Sequence, residues 1–160
     1  MQALRPITLS PCTKLEEIRI SLRDTRDPGL GIIHLFDSVT SPRLSGITFH
    51  FVIPLNSRKI DLSIYTIEWG RVDESLYRLA ERLRLMHESQ TSVLGTVHSW
   101  MMPGQRKEVK RLNVMIEARF LFTPLGTEKV DFGAFLSKFR EVGDVTFISQ
   151  KIRTLNEDDS

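Results

Sequence analysis

The fold is decided by residues 15–22, Leu-Glu-Glu-Ile-Arg-Ile-Ser-Leu, and residues 44–53, Leu-Ser-Gly-Ile-Thr-Phe-His-Phe-Val-Ile. In both stretches apolar and polar residues alternate, which is typical of a strand with one buried face. Aligning the two leading leucines also places Ile18 on Ile47 and Ile20 on Phe49. A Ser-Pro pair precedes each stretch. The sequence therefore predicts two successive strands with the same inward and outward positions.

The residues between these strands predict a short helix over 28–39. Apolar residues recur there at three- and four-residue spacing, Asp27 can cap the first turn, and Pro28 suits the first helical position. The resulting unit of strand, helix and strand has a length within the range of leucine-rich repeats. A single βαβ unit would give similar spacing and stays open as an alternative. The fold class expected is α/β, as a short, truncated, leucine-rich-repeat-like open solenoid of alternating strands and helices.

The second half of the chain continues the α/β pattern. A helix is expected where Trp69 is followed by an apolar stripe from Val72 to Met86, with Glu74 and Arg78 as an i,i+4 ion pair. The other expected elements are an additional strand or an extended connection over 60–67, strands within 92–98, 112–122 and 145–148, and a short helix over 132–140. Gly143 stands where a glycine commonly follows a helix end.

Composition limits the classes of function. The 160 residues are 41% hydrophobic, which suits one domain, expected over residues 1–155 with a disordered acidic tail at 156–160. Basic residues number 22 and acidic residues 20, so a dedicated nucleic-acid binder is not expected. No apolar run reaches membrane-spanning length. With one cysteine and no signal-peptide pattern, we expect an intracellular protein, cytoplasmic or nuclear.

Five motifs follow one another along the chain: a Cys-x-x-Leu strand at 12–18, a Ser-Pro-x-Leu strand at 41–49, Trp69 and Asp73 with Leu-x-x-Leu-Ala at 76–80, a phenylalanine-bearing helix at 135–139, and Gly-x-Val at 143–145. Together these motifs resemble the C-terminal, leucine-rich-repeat-like region of the F-box proteins of mushroom-forming fungi. The resemblance implies a substrate-recognition module of a ubiquitin ligase. Only nine residues precede Ser10, which leaves no room for an F-box. Docking to the Skp1 adaptor is therefore not expected of this chain, and a role in ubiquitination is inherited only by resemblance.

The residues that commonly carry chemistry form no recognisable site. The histidines at 34, 50, 87 and 98 lack the spacing of metal ligands, so we expect no metal and no cofactor. Cys12 is expected to be a buried small hydrophobe rather than a nucleophile. The basic run at 105–111 is interrupted by Glu108 and has no interleaved aromatic residue, which favours a solvated loop. We predict no catalytic residues and no enzyme activity.

The function expected from the sequence is non-catalytic binding of another protein, whose identity the sequence does not give. Outward positions of the first two strands are the candidate contacts, together with one tryptophan beside two methionines: Glu17, Arg19, Ser21, Thr48, His50 and Trp100. Two alternatives stay open. One is a small α/β enzyme whose site the sequence does not reveal, and the other is a non-functional fragment of a longer F-box or leucine-rich-repeat protein.

Overall fold

A computed structural model describes residues 7–22, 30–53, 67–95, 111–120 and 132–151 of the chain. Four strands, two α-helices and two short 3-10 helices follow one another in these ranges. In chain order they are β1 (Glu17–Leu22), α1 (Leu30–Asp37), β2 (Gly46–Ile53), α2 (Trp69–Gly95), β3 (Asn113–Phe120), 3-10 helices at Phe132–Leu136 and Phe139–Glu141, and β4 (Asp144–Lys151). The expected α/β class is confirmed.

The four strands form one parallel sheet in the order β1–β2–β3–β4. Ile18 lies beside Ile47, so β1 and β2 pair in the register that the aligned alternation predicts. The chain between paired positions of β3 and β4 is similar in length to that between β1 and β2, whereas the chain between β2 and β3 is much longer. These pairings give a mixed α/β architecture with an all-parallel sheet. The four described strands do not show the solenoid that was expected from the sequence.

One face of the sheet carries the core. Ile18, Ile47, Phe49, Val114 and Ile116 are buried at alternate strand positions. The helices cover this face with Ile32, Phe36, Val72, Leu76, Leu79, Leu83, Leu136 and Phe139. Aromatic rings meet at its centre, where Trp69 stacks on Phe135 and approaches Phe49 edge-on. Truncating such a buried phenylalanine or tryptophan to alanine costs about 3–5 kcal/mol, so these rings hold the helices on the sheet.

Helix α2 is longer than its sequence pattern alone indicates. It begins at Trp69 and continues to Gly95, so the strand expected over 92–98 is wrong for residues 92–95. A short apolar pair such as Val93-Leu94 fits either period, and here it extends the helical one. Among the described helices, none has both the length and the apolar character that crossing a membrane requires.

Hydroxyl groups tie the loop before β2 to the loop before β1. The fully buried Ser41 hydroxyl lies 2.8 Å from the carbonyl oxygen of Leu15 and 3.0 Å from that of Thr13. Thr40 donates to the carbonyl oxygen of Ser10 at 2.9 Å. These bonds join residues that are 26 to 30 positions apart in the sequence. This separation is similar to that between paired positions of β1 and β2, so the bonds hold the two successive strand–helix units at the same spacing as the strands do.

The C-terminal helix expected over 132–140 is present as two 3-10 helices rather than one α-helix. The buried carboxylate of Asp73, on α2, accepts hydrogen bonds from the backbone N–H groups of Lys138 (3.0 Å) and Phe139 (2.8 Å) at the start of the second. Gly143 follows the helix end as predicted, yet its role is close packing, because a side chain there would overlap the ring of Phe139. The carboxylate of Asp73 and the absence of a side chain at Gly143 therefore hold the path of the chain before β4.

Some features expected from the sequence differ in the structure, and others lie outside the described residues. Cys12 is exposed, so its prediction as a buried hydrophobe is wrong; it lies in a turn before β1 and not within the apolar alternation. Glu74 forms an ion pair with Lys138, and the expected partner Arg78 acts on it only as a more weakly interacting nearby charge. The expected cap at Asp27, the strand residues 60–66 and the acidic tail lie outside the described residues.

Candidate functional site

The face of the sheet opposite the core is the candidate site, and we call it the outer face. No described helix or strand covers it. Its described side chains come from alternate positions of the four strands, in three rows that run across the sheet. The rows are Glu17, Gly46, Asn113 and Asp144; Arg19, Thr48, Met115 and Thr146; and Ser21, His50, Glu117 and Ile148.

The parallel register explains why these residues share one face. Successive side chains of a strand point to opposite faces, so burying Ile47 and Phe49 turns Gly46, Thr48 and His50 outward. A shift of one residue would exchange the two sets and expose the core. Burial of the apolar side chains on the core face therefore determines which side chains lie on the outer face.

A shallow groove of about 460 Å³ lies on the outer face. It is lined by the outward side chains of the first three strands: Glu17, Arg19, Ser21, Thr48, His50, Met115 and Glu117. The mixture of one thioether, hydroxyl groups and charges is suited to contacts with a polar segment of another molecule.

The charges at the β1 side of the groove are paired with each other. Arg19 donates from Nε and Nη2 to the two carboxylate oxygens of Glu17, at 3.1 and 3.3 Å, and the Thr48 hydroxyl lies 3.5 Å from the same carboxylate. The hydrogen bonds that Arg19 donates to Glu17, and then the negative charge of Glu17, raise the pKa of Arg19. Since 78% of the Arg19 side chain is exposed, the guanidinium stays available to a partner.

Two polar atoms among the outer-face side chains are enclosed and have no hydrogen-bond partner in the described part of the chain. They are Nε2 of His50 and Oδ1 of Asn113. A buried polar atom left without a partner costs about 1–3 kcal/mol. Because both atoms are enclosed, a bound molecule could form a hydrogen bond with either of them only after the side chain turns toward the surface.

The structure brings together five of the six candidate residues predicted from the sequence. Glu17, Arg19, Ser21, Thr48 and His50 all line the groove. Trp100, the sixth, lies outside the described residues.

Met115 and Glu117, which complete the groove from β3, are not among the residues predicted from the sequence. The signal was present, because the apolar alternation through Val114 and Ile116 leaves these two residues on the other face. What the sequence did not reveal was that β3 lies next to β2.

Ser21, His50 and Glu117 occupy one row, and they are the residue types of a hydrolytic triad. A working triad needs the histidine within hydrogen-bond reach of the nucleophile. Nε2 of His50 has no hydrogen-bond partner within the described residues, so it is not bonded to the Ser21 hydroxyl. The row shows the residue types of a triad without the nucleophile–base bond.

Elsewhere, a cavity of about 260 Å³ lies between α2 and the starts of β2 and β3. Leu44, Leu83 and Leu112 form its apolar part, and Arg84 and Arg111 lie on its lining. Both arginines are already engaged, Arg84 with Glu81 and Glu88 and Arg111 with the carbonyl oxygen of Glu141. Within the described ranges, no group of three metal-binding side chains converges.

Comparison with known proteins adds no relative: no family model, no curated protein and no solved structure matches the chain.

Proposed function

We propose that the chain is a non-catalytic protein–protein interaction module that binds its partner on the outer face. The observation that carries the proposal is the sheet's asymmetry. One face is covered by two α-helices and the 3-10 helices, whereas the other presents a groove of polar and charged side chains. A broad polar face on a rigid sheet gives a partner many contacts without any rearrangement of the fold.

The finer part of the proposal is that this sheet is leucine-rich-repeat-like and resembles the substrate-recognition region of a fungal F-box protein. Its support is the strand order, which follows chain order, and the similar chain length from β1 to β2 and from β3 to β4. The hydroxyl bonds between the loops before β1 and β2 support it as well. The insertion between β2 and β3 departs from a regular repeat.

Site-specific photo-cross-linking tests the proposed face. A photoreactive amino acid replaces Thr48 on the outer face and, as a matched control, Arg71 on the exposed side of α2. Both variants are illuminated in extract of the cells that make the protein. We expect a discrete adduct from position 48 that is absent from position 71 and that Arg19→Ala or His50→Ala weakens. Identical adducts from both positions, or an adduct unaffected by both alanine variants, would contradict the proposed face.

The row of Ser21, His50 and Glu117 supports a second candidate function, hydrolysis of a small ester. In that function a substrate would draw the His50 imidazole onto the Ser21 hydroxyl, as catalytic hydrogen bonds often tighten only in the complex. Hydrolysis of p-nitrophenyl acetate tests it. A rate that Ser21→Ala and His50→Ala both reduce to that of buffer would support catalysis, and a wild-type rate equal to these variants would remove it.

A further inference from the structure

We infer that two copies of this chain associate through their β4 strands, which pair antiparallel about a two-fold axis at Phe147 and join the two four-stranded sheets into one. The inference goes beyond the proposed function and does not depend on it. It rests on the open edge of β4, because β4 is the last strand of the sheet and pairs with β3 alone among the described strands.

The main-chain groups at this edge belong to every second residue of β4. The N–H group of Asp144 donates to the carbonyl oxygen of Leu112 at 3.0 Å, so Asp144 directs its main-chain groups toward β3. Successive residues of a strand direct these groups to opposite sides. Val145, Phe147 and Ser149 therefore direct their N–H and C=O groups away from β3, to the open edge.

The two edges of the sheet differ in the side chains that protect them. At the β1 edge Glu17 and Arg19 place charged groups, which are partly exposed. In β4, by contrast, residues 145–150 carry no charge. Charged side chains along an edge hinder pairing with a further strand, whereas an uncharged edge with β-branched and aromatic residues favours it. The β4 edge is therefore the better suited of the two to accept another strand.

Phe147 shows that the apolar face of the sheet extends beyond the part that is fully buried. It lies in one row with Phe49 and Ile116, which are both 0% exposed, yet 40% of Phe147 is exposed. A second copy paired at this edge places its own Phe147 on the same face, next to the first. Aromatic pairs across antiparallel strands stabilise a sheet, so β4 itself supplies the kind of strand that this edge accepts.

Two conditions on antiparallel pairing are met when the axis passes through Phe147. Residues that exchange hydrogen bonds must both have main-chain groups at the edge, and residues opposite each other must lie on the same face. With Phe147 opposite its own copy, Val145 of each chain lies opposite Ser149 of the other. Three such pairs exchange about six main-chain hydrogen bonds. The contact is the same on both chains, as two-fold symmetry requires.

The charges at the ends of β4 favour the antiparallel direction. The strand begins with Asp144 and ends with Lys151. Parallel pairing of two copies would set the two lysines side by side, and like charges directly opposite are destabilising. Antiparallel pairing instead brings the end with Lys151 to the end with Asp144. Because Arg111 already lies 3.5 Å from Asp144, these charges direct the strands, and the main-chain bonds and the Phe147 rings hold them together.

Engineered disulfides test the pairing on the purified chain. In a Cys12→Ser background, Val145→Cys and Ser149→Cys are introduced together and singly, and oxidised glutathione is added. Hydrogen-bonded antiparallel partners have Cα atoms about 5.5 Å apart, which suits a disulfide. Within one chain the two positions are about 13 Å apart, and so are like positions across the axis. We expect covalent dimers from the double variant and none from either single variant.

Sedimentation velocity provides an independent measurement of self-association. We expect the mean mass of the unmodified chain to rise toward that of a dimer with increasing concentration. Phe147→Lys should weaken this association at least about tenfold, because two lysines would stand directly opposite each other. Leu85→Lys, at another exposed large apolar side chain, lies on α2 and is the matched control, which should associate as the unmodified chain does.

Three results would overturn the inference. They are a monomer at every concentration, an equal effect of Phe147→Lys and Leu85→Lys on association, and covalent dimers that form as readily from a single cysteine variant as from the double variant. The cross-linked variants keep Phe147 in place, so they decide the question whether or not Phe147→Lys folds stably. A partner captured through Thr48 by a chain that stays monomeric would leave the proposed function intact and remove only the dimer.

Discussion

At the scale of single residues, one buried carboxylate connects distant parts of the chain. Asp73 lies on α2 and accepts two backbone hydrogen bonds 65 and 66 residues further along. A carboxylate this close to the start of a helix is expected to interact favourably with the N-terminal dipole of its own helix. The structure assigns it instead to the start of the second 3-10 helix, a pairing between distant positions that no local pattern reveals.

We predict that Asp73→Ala lowers the free energy of unfolding by about 2–4 kcal/mol, because two N–H groups lose their acceptor away from solvent. Asp73→Asn keeps one acceptor and should cost roughly half as much. Glu68→Gln, at an exposed surface ion pair just before the same helix, should cost under about 1 kcal/mol. Urea unfolding of the three variants measures these differences, and equal midpoints for Asp73→Ala and Glu68→Gln would contradict the assigned role.

A second residue-scale prediction concerns Glu74 and Lys138, whose side chains form an ion pair beside the Tyr77 ring. Hydrogen bonding to Lys138 lowers the pKa of Glu74 below its ordinary 4.5, and hydrogen bonding to Glu74 raises the pKa of Lys138 above its ordinary 10.5. The lowered carboxyl pKa contributes stability that is complete above pH 4.5 and is lost as the pH falls through the folded-state value. The raised ammonium pKa contributes stability that is complete below pH 10.5 and is lost as the pH rises through its folded-state value.

A double-mutant cycle of Glu74→Gln and Lys138→Met measures this coupling. We expect a favourable coupling energy at pH 7 that shrinks at pH 3. The same coupling at both pH values would show that the two side chains interact through packing rather than charge. Because both are exposed, added salt should also reduce the coupling at pH 7.

At the scale of elements, α1 is held at its C-terminal end by an arginine from α2. Arg82 donates from Nη1 to the carbonyl oxygen of Asp37 at 3.0 Å and from Nη2 to that of Phe36 at 2.7 Å. The last carbonyls of a helix have no partner within it and carry partial negative charge, so a guanidinium there satisfies both needs.

We expect Arg82→Ala to lower the free energy of unfolding by about 1–3 kcal/mol and to speed amide hydrogen exchange in α1. Arg82→Lys should restore part of the loss, because an ammonium group lacks the forked geometry that reaches both carbonyls. Arg84→Ala, which removes only exposed ion pairs from the same helix, is the matched control and should cost under about 1 kcal/mol. Faster exchange in α1 from both variants alike would contradict a specific role for Arg82.

The elements also show which local predictions are dependable. The alternation around Ile18 and Ile47 predicted two strands, their buried sides and their register, because a period of two leaves only one way to bury the apolar set. Residues 92–95 were misread, since two adjacent apolar residues suit a helix or a strand equally and the outcome depends on the helix before them. The helix expected over 132–140 is divided between two 3-10 segments, the second anchored by Asp73 from elsewhere in the chain.

At the scale of the whole molecule, the arrangement of strands lies beyond what the sequence patterns determine. Each strand's faces could be predicted from its own residues, and five of the six candidate residues were found on one groove for that reason. Which strand lies next to β2 could not be predicted, because the connection between Ile53 and Asn113 is long enough for β3 to join the sheet on either side. Consequently the contribution of Glu117 to the site emerged only from the strand order.

Among the residues that the structure describes, one face of the sheet is covered by helices and the other is open, and the proposed function requires that the open face be accessible to a partner. Thiol accessibility on β3 tests it most directly. In a Cys12→Ser background, one variant carries Met115→Cys on the outer face and the other Val114→Cys, at a position that is fully buried on the core face. Their rates of reaction with a maleimide are compared under native conditions.

We predict that the thiol at position 115 reacts at least about tenfold faster than the thiol at position 114, because only the latter must await opening of the core. Unfolding in urea should make the two rates equal. Equal native rates, or a thiol at position 115 as protected as the one at 114, would contradict an open outer face and the binding function assigned to it.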